Sequence, residues 1–301
     1  RGPYRFPEDW ITSLKADGGS VADRRWVVSG EKTATLRYSV SLELPTTDQG
    51  YLGYVGPDWV FTAGMFLFPD IGWRGSVQQP EVRLRVNLPE GWALYVAYPE
   101  LESGLFGVKG RSPRDFLVAG RAEALTAVSG QAGQSHLTTV AIRGSMVTAA
   151  DAYGLYEKLV PQFERISGWS PERILAVVAP DPIRPYSGQR IGETVYVWHN
   201  QPFPISRDSG VWPHELFHIY QPFHSTRWFA EGTAIFYQAY GPMKAGVITP
   251  QEFWEHLTVG MARRVRPNQT ALDDPHHRGG LAMLALDIWI REESKGKYSL
   301  D

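Results

Sequence analysis

Two histidines four residues apart, His214 and His218, enclose Glu215-Leu216-Phe217, and Trp228-Phe229-Ala230-Glu231-Gly232 follows shortly after. On a helix, positions i and i+4 project from one face with Cβ atoms about 5–6 Å apart. Two imidazoles so placed can reach one cation, which is the H-E-x-x-H arrangement of zinc sites. The chain is therefore expected to put a helix through 214–218 and to bring a second helix, carrying Glu231, alongside it. His214, His218 and Glu231 would then be three protein ligands with one coordination position open, and Glu215 the base for a water in that position. Pro213 fits a helix's first turn, so the first helix should begin at 210–213 with Asp208 or Ser209 as its cap. It should stop near Gln221, because Pro222 disfavours a helical residue before it.

His224 competes with Glu231 for the third position. It lies six residues beyond His218, the spacing metzincin proteases use, but where those enzymes have a glycine midway this chain has Gln221, followed by Pro222 and Phe223. Glu231 is the better candidate. A carboxylate inside so apolar a run must be paired or bound to a metal.

With no cysteine in 301 residues, neither disulfides nor thiolate ligands are available, so any metal must sit on histidine and carboxylate. A net charge of −2 offers no basic excess for phosphates and argues against a nucleic-acid partner. No stretch approaches the roughly 18 uninterrupted apolar residues of a membrane span. Leu281 to Ile290 is short and contains Asp287, as a buried helix would. The sequence opens on Arg1, which fits a processed chain or a fragment, and Tyr298-Ser299-Leu300-Asp301 resembles the start of another capped helix. Oligomeric state is not readable from these features. They are also compatible with either an exported or a cytoplasmic bacterial or archaeal protein.

Periodicity divides the chain in two. Leu36 to Leu44 and Val82 to Leu88 alternate apolar and polar residues, as half-buried strands do. Phe116–Ala119 and Leu137–Ile142 are further strands, and together they predict an antiparallel β-sandwich over 1–147. From about Thr148 the spacing turns helical. A helix is expected over 149–166, kinked or ended by Pro161, then strands at 174–179 and 194–198. Helices should follow at about 211–221, 228–240, 250–264 and 279–294. Strands followed by segregated helices make 148–301 an α+β catalytic domain.

His-Glu-Leu-Phe-His with Trp-Phe-Ala-Glu-Gly-Thr-Ala resembles the gluzincins, thermolysin-like metallopeptidases whose third zinc ligand is a glutamate. Within them the chain is most similar to the glycyl aminopeptidase family. The similarity includes the Leu88-Pro89-Glu90-Gly91-Trp92 turn of an N-terminal β domain and a late helix with Arg278-Gly279-Gly280-Leu281, Leu286-Asp287 and Arg291. The resemblance implies a thermolysin-like mixed α/β catalytic domain, zinc as cofactor, and a peptide or protein as substrate. Twelve residues, Ile219 to Ala230, separate His218 from Glu231, a shorter spacing than that family's. Where the family has a tyrosine that stabilises the oxyanion, this chain has His276, with His277 beside it, and an imidazole N–H can do the same work. The strand glutamate that holds a substrate's amine would correspond to Glu193, with Thr194 and Tyr196 on an edge strand that pairs with the peptide backbone. An inactive peptide-binding module, or a hydrolase of a non-peptide amide, is the competing reading. Tyr237 and Tyr240 are expected to be core or rim residues. His136, His199 and His256 lack metal-like spacing and are assigned no role.

Overall fold

The computed structural model describes residues 11–17, 20–22, 25–27, 35–40, 53–68, 82–108, 113–180, 186–199, 210–221, 226–260 and 274–300. They form two compact units, Arg1–Ala124 and Leu125–Asp301.

The first unit contains β1 (Ile11–Asp17), β2 (Ser20–Ala22), β3 (Arg25–Val27), β4 (Thr35–Val40), β5 (Gly53–Val55) and β6 (Trp59–Ala63). A single helical turn, α1 (Gly64–Leu67), leads to β7 (Val82–Arg85), β8 (Trp92–Tyr95), β9 (Glu100–Glu102), β10 (Leu105–Val108) and β11 (Phe116–Arg121). Its largest sheet has the order β5-β6-β11-β8, and its strand pairs are antiparallel, as the alternating pattern predicts. Phe61 and Phe116 stack with centroids 4.7 Å apart and are fully buried. The Leu-Pro-Glu-Gly-Trp turn leads into β8: Gly91 takes φ 77°, a left-handed value that suits glycine, and Trp92 N–H donates to Pro89 O.

The second unit runs β12 (Leu125–Ala132), β13 (Ser135–Ile142), α2 (Ala149–Ser167), β14 (Arg173–Ala179), β15 (Tyr186–Ile191) and β16 (Thr194–His199). The helices α3 (Val211–Ile219), α4 (Arg227–Lys244) and α5 (Pro250–Glu255) follow. A π-helical turn (His256–Gly260) continues α5, and α6 (His277–Glu293) comes last. One five-stranded mixed sheet has the order β12-β13-β14-β16-β15, with β13/β14 and β14/β16 parallel.

Two expectations shift here. The units divide at Ala124/Leu125 rather than at 147/148, because β13 pairs in parallel register with β14, His136 to Arg173 through Ala141 to Val178, and so carries its hairpin partner β12 into the second unit. Residues 194–198, expected at an edge, form an interior strand, and the edge is β15. The run Ser187-Gly188-Gln189-Arg190 has little β-forming character, and its pairing along β16 is what makes it a strand.

α2 is built as its pattern demands. Thr148 caps it by accepting from Asp151 N–H, and Gly168 closes it at φ 67°. Pro161 does not end it: the helix runs on to Ser167. Leu159, Val160 and Phe163 are fully buried on its inner face, and burial worth about 1.5–3 kcal/mol per large side chain offsets the roughly 3 kcal/mol a helical proline costs. These residues join Trp212, Leu216 and Phe217 of α3 and Ile235, Phe236 and Tyr240 of α4 in one core. Of the helix expected over 250–264, the described part is α-helical over Pro250–Glu255 and π-helical over His256–Gly260, and 261–264 lie outside the described residues.

Candidate metal centre

α3 places the two histidines. Pro213 sits in its first turn, and Gly210 caps it through its carbonyl, which accepts His214 N–H at 3.0 Å. The expected caps Asp208 and Ser209 lie outside the described residues, as do Pro222 and His224. Trp212, Pro213, His214, Leu216, Phe217 and Ile219 are buried, so the helix is enclosed on most sides rather than presenting one wet face. The helix ends at Ile219, and Tyr220 N–H donates to Phe217 O.

α4 and α6 bring the remaining groups. They cross at a glycine pair: a Cβ on Gly232 would lie 2.6 Å from Gly279 C, and one on Gly279 would lie 2.7 Å from Trp228 O. Only hydrogen at both positions permits this approach. Glu231 immediately precedes Gly232, and His276 stands at the N-terminus of α6. Glu231 Oε2 consequently lies 3.1 Å from His276 Nε2, 3.4 Å from His214 Nε2 and 3.5 Å from His218 Nε2. The two histidine Nε2 atoms of α3 are 3.1 Å apart, with their rings edge to face.

Donors on a tetrahedral zinc with bonds of about 2.0–2.2 Å are about 3.3–3.6 Å apart. The triangle of His214, His218 and Glu231, with edges of 3.1, 3.4 and 3.5 Å, fits that size. Two imidazole nitrogens facing each other at 3.1 Å repel unless a proton or a cation lies between them, so the donor set suits a cation. Among the described residues, His214, Glu231 and His276 also converge closely enough to share one.

The outer nitrogens of the α3 imidazoles are held by amides. Gln221 donates through Nε2 to Ala230 O at 2.7 Å, which turns its Oε1 towards His218 Nδ1 at 2.8 Å. A backbone carbonyl can only accept, so His218 must carry its hydrogen on Nδ1 and keep the Nε2 lone pair for the centre. Gln221 also contacts Thr233 Oγ1, whose hydroxyl is anchored on Phe229 O. His214 Nδ1 faces Gln238 Oε1 at 3.1 Å.

The charges are strongly coupled. Burial works against Glu231's ionisation, but hydrogen bonds from His214, His218 and His276 outweigh it and hold the carboxyl well below its usual range. Burial likewise disfavours a charged His218, yet the Glu231 hydrogen bond and the Glu215 charge raise its pKa. Glu215 is pushed up, mainly by burial, with His214 and His218 pulling the other way. The edge strand covers it: a Cβ on Gly188 would fall 2.5 Å from Glu215 Cγ and 2.9 Å from Val211 Cγ2. Beneath α3, Tyr156 packs on Trp212 with its hydroxyl buried and unpartnered, and burial together with the Glu215 charge keeps it protonated.

His214, Glu215, His218, Glu231 and His276 thus come together. Glu193, Thr194 and Tyr196 do not join them. Val195 and Val197 of β16 face the helical core, so by alternation Thr194 and Tyr196 point to the opposite side of the sheet, where both are buried. Glu193 lies in the β15–β16 turn, where its charge acts on Tyr220 beyond the far end of α3. His277 pairs with Asp274, which also accepts the His277 N–H. Tyr237 donates to Leu300 O, and Tyr240 stacks on Phe236 in the core. Gln221, Gln238, Gly188, Gly232 and Gly279 were not foreseen. Gln221 is three residues from His218, and Gln238 shares a face with Glu231 at i+7, so the helical period marks both. The glycine contacts left no local trace.

No family model and no curated protein matches the sequence. Solved structures do match the fold. An aminopeptidase N family protein from Idiomarina loihiensis superposes with a TM-score of 0.73 at 15% identity, over 97% of this chain and 60% of that one. An M1 zinc metallopeptidase from Deinococcus radiodurans gives 0.58 at 16% identity, over 95% and 74%. A glutamate-to-alanine variant of an M1 zinc metallopeptidase from the same organism, bound to a Tyr-Ser-Ala substrate, gives 0.56 at 15% identity, over 98% and 75%. This chain therefore spans about three fifths of the first neighbour's length. At these identities the likeness is one of fold, a mixed α+β architecture like that of zinc metallopeptidases.

Proposed function

We propose that the protein is a zinc-dependent peptidase of the gluzincin type, with a β-sandwich module before a thermolysin-like catalytic domain. One observation carries this reading: His214 Nε2, His218 Nε2 and Glu231 Oε2 converge within 3.5 Å of one another, with Glu215 beside them. The fold likeness to aminopeptidase N and M1 zinc metallopeptidases supports it.

His214, His218 and Glu231 would hold the metal, which supplies Lewis acidity at the scissile carbonyl. Glu215 removes a proton from the attacking water and returns it to the leaving amine. Burial raises its pKa, which makes it a stronger base than an exposed carboxylate. His276, whose Nε2 lies 3.1 Å from Glu231 Oε2, donates its N–H to the developing oxyanion. The edge strand β15, with Gly188 against Glu215, offers backbone groups for an extended peptide.

The test is metal analysis together with peptide hydrolysis. The wild type should bind one zinc and cleave unblocked peptides, and comparing free with N-acetylated substrates shows whether cleavage starts from the amino end. Glu215→Gln should keep the zinc and lose about 10²–10⁴-fold in turnover, the contribution of a positioned base. A fully active Glu215→Gln would refute the base assignment, and a protein without zinc affinity would refute the centre.

A further inference from the structure

His256 has no metal-like spacing and touches none of the three candidate ligands, yet it closes a chain that ends on one of them. His214 Nδ1 faces Gln238 Oε1 at 3.1 Å, and Gln238 Nε2 lies 2.7 Å from His256 Nε2. We propose that His256 is a positioning residue which, through the Gln238 amide, selects the His214 tautomer that can bind zinc. The inference rests on the zinc reading above and adds to it a determinant of metal affinity.

The two α3 histidines are held by different means. For His218 the amide orientation is dictated by Ala230 O, a backbone carbonyl that can only accept. For His214 it depends on another side chain. A glutamine's terminal torsion is roughly two-fold, and the two orientations of Gln238 have opposite consequences. With Oε1 towards His214, Nδ1 carries the hydrogen and Nε2 keeps its lone pair. With the NH₂ group towards His214, Nδ1 must accept, the hydrogen moves to Nε2, and the ring cannot ligate. With its hydrogen on Nδ1, His256 accepts from the Gln238 amide through Nε2, and that acceptor holds the first orientation.

The surroundings are arranged to keep this contact. A Cβ on Gly210, the N-cap of α3, would lie 2.8 Å from Gln238 Nε2, so the amide occupies the room a side chain there would need. His256 opens the π-helical turn, and its neighbour Leu257 is fully buried in the core. Single π turns recur at functional sites. His256 meets α4 at Gln238, seven residues beyond Glu231.

Zinc affinity, measured by chelator competition, and the melting temperature of the metal-free protein test this. Gln238→Leu should weaken zinc binding by about 10–100-fold, as removing an outer partner of a ligating histidine does, and His256→Leu by about tenfold. The double variant should be no weaker than Gln238→Leu alone, since His256 acts only through that amide. Metal-free melting of each variant reports its structural cost separately. Should His256→Leu not fold, Gln238→Glu keeps the question open to experiment. Its carboxylate accepts from His214 in either orientation, so zinc binding should match or exceed that of the wild type. Wild-type affinity in His256→Leu, additive losses in the double variant, or a tenfold loss in Gln238→Glu would each overturn the proposal. Zinc retained by His214→Ala would instead overturn the ligand assignment, and the role of His256 with it.

Discussion

Gly279→Ala tests how α4 and α6 set the geometry of the centre. The added Cβ would stand 2.7 Å from Trp228 O and 2.9 Å from Gly232 Cα, against an ordinary contact distance of 3.4–4 Å. All of these neighbours are backbone atoms of another helix, so no side chain can swing aside. The helices must part by roughly 0.7 Å or more to restore contact distances. Overpacking of this kind costs about 1–3 kcal/mol, while alanine gains up to about 1 kcal/mol over glycine in a helix, so the net loss of stability is modest. The functional loss is not. His276 stands three residues before the clash and moves with α6, whereas Glu231 stays with α4, so their 3.1 Å contact opens. A displacement near 1 Å can cost about 10²-fold in turnover. Gly279→Ala should therefore remain folded, keep zinc within about tenfold, since the three ligands sit on α3 and α4, and lose about 10²-fold in peptide hydrolysis. Gly154→Ala on α2, where a Cβ meets nothing within 4 Å, is the control and should raise stability by up to about 1 kcal/mol with activity unchanged. Wild-type hydrolysis by folded Gly279→Ala would refute the claim that the glycine contact positions His276.

Three further outcomes are expected. His276→Phe should lower kcat by about 10²–10³-fold, the scale of a lost oxyanion donor, with zinc content by metal analysis unchanged. Zinc affinity should fall as pH falls: burial lowers the His218 pKa, but the Glu231 hydrogen bond and the Glu215 charge outweigh it and raise it, a protonated imidazole cannot ligate, and Glu231 stays anionic throughout, so Kd should rise by about tenfold per pH unit once His218 is protonated. A flat profile between pH 7 and 5 would contradict that coupling. Gly133→Ala should destabilise the second unit by more than about 2 kcal/mol. It imposes a side chain at φ 57°, and its Cβ would lie 2.1 Å from Glu164 Oε2, the carboxylate that holds Gln134 N–H and Ser135 Oγ. Thermal denaturation reads this as a drop of several degrees.

The features legible in the sequence are those set by local periodicity. His214 and His218 share a helical face because 3.6 residues make a turn, and this follows from spacing alone. The same period displays the buried face of α2, and alternation displays β4 and β7. A carboxylate in the apolar run around Glu231 also identified itself, because an unpaired charge is costly to bury.

Tertiary pairing decided the rest. The strand at 194–198 is legible, but only the tertiary packing shows that Val195 and Val197 take the helical side, which turns Thr194 and Tyr196 away from the centre. The edge strand beside Glu215 is a Ser-Gly-Gln-Arg run that becomes a strand by pairing with β16, and β13, with its hairpin partner β12, belongs to the second unit because β14 lies beside it. How close Glu231 and His276 come depends on two glycines far apart in the chain meeting backbone to backbone. Residue spacing encodes what lies within a turn or a strand, whereas distances between segments depend on packing that no single segment contains.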